Sequence, residues 1–158
     1  MKIEQATPVH VPEMKILWKE FIDFHKEIDP FFNRTEDGHE TFGRFVENCM
    51  KSDDFKILVA VETGHVVAYA IARKMKHPPV FRDAEYGLII DMAVKAGYRR
   101  RGIGESLLSE LQQWFESRNI RRIELNVVPR NRIGYSFWKK HGFRDYVHVL
   151  YLDRSDCT

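Results

Sequence analysis

The stretch from Leu88 to Val128 constrains this chain most, because it alternates an apolar strand, a basic glycine loop, a striped helix and a second apolar strand. Leu88-Ile89-Ile90 and Met92-Ala93-Val94 form one β-rich run interrupted by Asp91. Arg99-Arg100-Arg101-Gly102-Ile103-Gly104 occupies the loop after it. Ile103, Leu107, Leu108, Leu111, Trp114 and Phe115 then recur at the spacing of a helix lying on a sheet, and Ile123 to Val128 is the next strand. Two parallel strands joined by a helix fit the right-handed βαβ unit, so the chain is expected to be a mixed α/β or α+β sheet protein.

The first half follows a different rhythm. Ile3 to Ala6 predicts a short strand. Pro12-Glu13 opens a helix carrying Met14, Leu17, Trp18, Phe21, Phe24 and Ile28 on one stripe, which Asp29-Pro30 ends. A second helix is expected over about 36–50, with Phe42, Phe45, Val46 and Cys49 aligned. Phe55 to Glu62 and His65 to Lys74 flank Thr63-Gly64 and read as a hairpin. Beyond the central unit, Pro129 breaks the strand, Asn131 caps a helix running to about Lys140, and Gly142 ends it. Tyr146 to Leu152 is expected as a final strand.

With 158 residues, 44% of them hydrophobic, the chain has the size and apolar content of a single domain, 1–158. The longest apolar run, Val66 to Ala72, is far shorter than the ~20 residues of a membrane-spanning helix, so an integral membrane protein is not expected. Met1 to Gln5 lacks an apolar secretory core, and only Cys49 and Cys157 could form a disulfide, which makes a cytoplasmic location the expectation. Residues 1–60 carry 8 Lys/Arg against 12 Asp/Glu, a net of −4, leaving +6 for residues 61–158 of a chain whose total is +2. The basic excess suits an anion, although solvated faces would also produce it.

Arg99 to Gly104 lies where a helix dipole and successive backbone N–H groups make an anion site. Two other phosphate motifs fail by position. A G-x-G-x-x-G starting at Gly102 would need glycine where Leu107 stands, and a Walker A starting at Gly97 would need lysine where Ile103 stands. His39-Glu40 begins a zinc pattern whose second ligand would fall at Gly43, so no metal is expected.

What remains, R-x-x-G-x-G after an apolar strand, resembles the acyl-CoA pyrophosphate loop of the GNAT-type N-acetyltransferases. Asn131, Phe137 and Gly142-Phe143 resemble the second signature of that superfamily, a helix starting near Asn and ending in Gly-Phe. Together the matches cover about residues 84–146. The resemblance implies a GNAT-like fold: a mixed, mostly antiparallel central sheet with a splayed parallel strand pair, flanked by about four helices. It implies acetyl-CoA as cosubstrate and no metal. The backbone of Met92, Ala93 and Val94 would pair with pantetheine, and Arg99, Arg100, Arg101, Gly102, Ile103, Gly104 and Glu105 would surround the pyrophosphate. Asn131 would contact pantetheine, with a helix cap as the lesser alternative.

Amine acetylation needs a neutral nucleophile, and an alkylamine of pKa ~10.4 is almost fully protonated at neutral pH, so a base or a desolvated site is implied. Asp91, set in an apolar strand before the implied thioester site, is the first candidate. Glu85, upstream at the same strand parity, is the second. Many relatives protonate the leaving thiolate with a Tyr where this chain has Trp138, which is expected at the cofactor site as an apolar wall for the thioester or acceptor. Tyr135 and Tyr146 are the nearest phenols, and water is the alternative. Glu27, Asp29, Glu36, Asp37 and Glu40, near the loop that lines acceptor sites in this superfamily, suggest a small cationic amine: a polyamine, an aminosugar or a basic residue. A protein N-terminal or lysine acetyltransferase, a non-catalytic acyl-CoA-binding module and a nucleic-acid-binding domain using Arg121-Arg122 and Lys139-Lys140 are the rival functions. A homodimer remains open, and no membrane partner is expected.

Overall fold

In the computed structural model, residues 1–156 are described; Cys157 lies outside them, so the disulfide the sequence allows is not addressed, and Cys49 is a free, buried thiol. The chain divides into two compact units, one of residues 1–126 and one from 127 onward. The first holds β1 (Lys2–Gln5), α1 (Val11–Ile28), α2 (Gly38–Cys49), β2 (Phe55–Glu62), β3 (His65–Lys76), β4 (Glu85–Val94), α3 (Ile103–Ser117) and β5 (Ile123–Leu125). The second holds α4 (Arg132–Lys140).

The strands of the first unit stand in sequence order, β1 to β5. Each of the first four is antiparallel to its neighbour, and β5 runs parallel to β4. The hairpin turns at Thr63 (φ 49°) and Gly64 (φ 80°), both left-handed, as the twist of a two-residue hairpin requires. One sheet face is covered by Val11, Met14 and Leu17 of α1 and by Phe42, Val46 and Cys49 of α2. These pack on Ile57, Val59, Val66, Tyr69, Ile71 and Ala93. The helical stripes expected from the sequence face the core except at Phe45, which is 40% exposed while Phe42, Val46 and Cys49 of the same helix are buried. Each large side chain withdrawn from water here contributes roughly 1.5–3 kcal/mol.

The other face carries α3, whose Leu107, Leu108, Leu111 and Phe115 are buried. Gly87 permits that contact, since a Cβ there would fall 2.4 Å from the Phe115 ring.

A bulge in β4 sets which side chains reach which face. Ala72 pairs with Ile89 and Ile71 with Asp91, so Ile90 is an extra residue, and its side chain is 38% exposed. Counting by twos from Glu85 and Gly87 would place Asp91 toward α3. The extra residue shifts the phase, and Asp91 and Ala93 instead share the α1/α2 face with Ile71 and Tyr69.

In the second unit, α4 ends as a Schellman motif. Gly142 (φ 89°) donates its N–H to Lys139 C=O, Phe143 donates to Trp138 C=O, and the Phe143 and Trp138 rings meet at 5.3 Å. Gly-Phe is thus a helix stop with its hydrophobic clasp. The final strand expected over Tyr146 to Leu152 is not formed, and β5 has three residues instead of six. Tyr146, Val147, Val149, Leu150, Tyr151 and Leu152 are 63% to 90% exposed. β-propensity records how well a side chain suits a pleated surface, and it makes no strand where the backbone has no ladder to join.

Candidate active site

The parallel ladder between β4 and β5 stops at Ile89 and Leu125, at the bulge. From Met92 to Val94 the backbone pairs with Ala70, Tyr69 and Ala68 of β3 on one side, and no β5 pairing runs along the other. Beyond Ile89, β4 therefore has no ladder partner in β5 along Met92, Ala93 and Val94, the residues the sequence resemblance assigns to pantetheine.

The loop after β4 turns twice through the left-handed region, at Arg100 (φ 61°) and at Gly102 (φ 78°). Gly102 begins α3 with no side-chain cap, and the first helical bond of that end is Ser106 N–H to Gly102 C=O at 3.0 Å. The N–H groups of Ile103 and Gly104, in the first turn, precede that bond and lie where intrahelical acceptors are lacking. Nothing stands within 4 Å of where a Gly102 Cβ would be, so the loop surface there is open to a ligand. Arg99 donates from Nε to Val94 C=O at 3.2 Å, with its guanidinium 5.6 Å from the Phe24 ring of α1. Arg101 lies over Tyr98 and 3.9 Å from Glu62. Arg100 is exposed. Open strand edge, curled amides and three arginines fit an acyl-CoA.

Asp91 accepts a 2.8 Å hydrogen bond on Oδ2 from the Tyr69 hydroxyl. Burial pushes its carboxyl up to about 6, against the pull of Tyr69 and of the Met92 backbone N–H. A carboxylate of that basicity exists in both forms near neutrality, as proton transfer requires. Glu85 lies elsewhere. The bulge puts it on the opposite parity from Asp91, and it is paired with Lys74 at 3.1 Å, so the shared parity expected from the sequence does not hold. Tyr69 escaped the sequence reading; its one signal was a lone phenol in the small-residue run Val66 to Ala72.

Among the acidic residues near the α1–α2 connection, Glu40 is held by Lys15 (2.9 Å), and that bond keeps its carboxyl below the ordinary range. Asp29 accepts from the Phe31 N–H. Glu27, Glu36 and Asp37 are exposed. In the second unit, Asn131 caps α4, its Oδ1 accepting from Gly134 N–H at 3.1 Å. Tyr135 donates to Asp145 at 2.8 Å, which raises its phenol further above the ordinary value. Tyr146 is 71% exposed, and Trp138 is half-buried between Phe137 and Phe143. Among the described residues, no cluster of His, Cys, Asp and Glu could hold a metal ion, and no helix is long and apolar enough to cross a membrane.

Comparison with known proteins places the chain among acyl-CoA-dependent transferases. The acetyltransferase (GNAT) family model matches residues 15–143, and the chain belongs to that family. It is 32% identical over 122 residues to an N-alpha-acetyltransferase of Sulfurisphaera tokodaii, covering 71% of each chain. It is 21% identical to an aminoglycoside N(6')-acetyltransferase type 1 of Salmonella enteritidis, covering 96% of this chain and 97% of that one. The fold superposes on the BH1408 protein of Bacillus halodurans with a TM-score of 0.86 at 20% identity, covering 97% and 99% of the two chains. A Clostridium acetobutylicum structure described as a predicted acetyltransferase with acetyl-CoA gives 0.76 at 22% identity, covering 98% and 97%. The protein is an acetyl-CoA-dependent N-acetyltransferase with the mixed, splayed sheet of its family.

Proposed function

We propose that residues 1–158 act as one N-acetyltransferase domain that moves the acetyl group of acetyl-CoA directly to the primary amine of a small cationic molecule, with Asp91 as general base. The observation that carries the reading is the placement of Asp91. The bulge turns this carboxylate onto the α1/α2 face at the point where β4 loses its β5 partner. Acetyl-CoA supplies a thioester whose carbonyl carbon bonds to the acceptor nitrogen as the C–S bond breaks and sulfur leaves with the electron pair. Asp91 receives the proton released by that nitrogen. Backbone of Met92 to Val94 aligns the arm, and the amides from Arg101 to Glu105, with the three arginines, offset the pyrophosphate charge.

The cationic character of the acceptor rests on Glu27, Glu36 and Asp37, which remain exposed, and on the aminoglycoside relative. The relative that acts on N-alpha amines supports a second reading, a peptide N-terminus. With Tyr135 committed to Asp145, the departing thiolate is protonated by water. A panel of polyamines, aminosugars, lysine and N-terminal peptides, assayed with acetyl-CoA by thiol release, tests the reading. Preferred turnover of a di- or polycationic small amine is expected. Faster turnover of neutral or acidic amines would overturn the acceptor class, and full activity of Asp91→Asn would overturn the base.

A further inference from the structure

We propose that Tyr69 is a positioning residue for acetyl transfer: its hydroxyl holds Oδ2 of Asp91 and so fixes the carboxylate that takes the proton of the acceptor. The inference rests on Asp91 being the base. Tyr69 is fully buried and sits opposite Ala93, while Asp91 sits opposite Ile71. The two side chains are diagonal neighbours on one face, brought together by the extra residue Ile90. The Tyr69 ring lies 5.6 Å from the Phe42 ring, which packs against it in the core.

The surroundings give that bond its weight. Toward this face α1 presents Met14, Leu17, Trp18 and Phe21, and α2 presents Phe42 and Val46, none of them charged. Lys15 is engaged by Glu40, Glu13 accepts from Val66 N–H, and His25 bonds the Phe21 carbonyl. From β3 come Ile71 and Tyr69, and from β4 comes Ala93. Support for the Asp91 carboxylate therefore comes from the Tyr69 hydroxyl and the Met92 N–H, against burial. Burial and the adjacent carboxylate push the Tyr69 phenol well above its ordinary value, so it stays protonated at every working pH and acts only as a donor. During transfer the nitrogen's proton goes to the Asp91 carboxylate, the phenol keeps its own, and Asp91 afterwards returns its proton to water.

The test is kcat/KM against pH from 5 to 9.5 for the wild type, for Tyr69→Phe and for a protein carrying 3-fluorotyrosine at position 69, with an amine from the active panel. Loss of a hydrogen bond to a carboxylate disfavours its charged form. The acid limb of Tyr69→Phe should therefore move up by about one pH unit, giving roughly five-fold lower activity at pH 6 and near wild-type activity at pH 9. The KM for acetyl-CoA should not change. The fluorinated phenol is a stronger donor of nearly the same shape, so its acid limb should move down; it serves even where the Phe variant folds poorly. An unmoved limb, or a loss equal at every pH, would overturn the inference. Asp91→Asn separates the two levels: if it is inactive and the limb of the position-69 proteins stays fixed, only the role of Tyr69 falls, whereas an active Asp91→Asn removes the base itself.

Discussion

Asp91 works against the fold that holds it. Its carboxyl is raised from the ordinary aspartate value to about 6 by burial, so the folded protein binds this proton more tightly than the unfolded chain does. The stability from that proton is complete below about pH 4 and is lost as pH rises through 6. Asp91→Asn, which has no charge to bury, should therefore stabilise the protein at pH 8 relative to pH 4, by on the order of 2 kcal/mol, while lowering turnover by ~100-fold or more. Thermal melts at the two pH values check this, and an equal effect at both would contradict it. The phenols of the second unit make the opposite case. Tyr135→Phe and Tyr146→Phe should each lose less than ~10-fold in kcat, because Tyr135 is committed to Asp145 and Tyr146 is exposed. A 100-fold loss in either variant, with acetyl-CoA binding intact, would name it the general acid.

At the scale of elements, the loop and the bulge do separate jobs. Gly102 has open space around it and a φ of 78°, so Gly102→Val meets backbone strain without a clash. It should cost about 1 kcal/mol of stability and abolish most of the thermal stabilisation by acetyl-CoA, as melts with and without ligand would show. Deleting Ile90 makes β4 regular while leaving Asp91 opposite Ile71. That variant should keep its core and lose acetyl-CoA affinity, since bulges bend strands away from their partners; unchanged affinity by calorimetry would deny the bulge that role. The helical stripes of α1, α2 and α3 were legible because burial repeats along a helix with a fixed period. The parity shared by Glu85 and Asp91 was misread because one inserted backbone residue leaves no periodic trace. Tyr69 was missed because its meaning depends on a partner 22 residues away. The stretch Tyr146 to Leu152 shows strand composition without a strand.

Over the whole molecule, acidic side chains concentrate in residues 1–60 and basic ones after them, with a total of +2. So small a net charge holds polyanions weakly. Acetyl-CoA at 100 times its Kd should add about 2.7 kcal/mol of stability, raising Tm by roughly 5–10 °C, and random double-stranded DNA at physiological salt should raise it by less than ~1 °C. The reverse order would make the protein a nucleic-acid binder. The phase change at Ile90 has a consequence for descent as well as for chemistry. Because Asp91 and Ala93 look toward α1 and α2 while Gly87 looks toward α3, drift in residues such as Trp18 or Phe42 can re-cut the surroundings of Asp91 without disturbing the helix that starts at the glycine loop. A lineage built on this strand can change what it modifies while keeping the donor it spends.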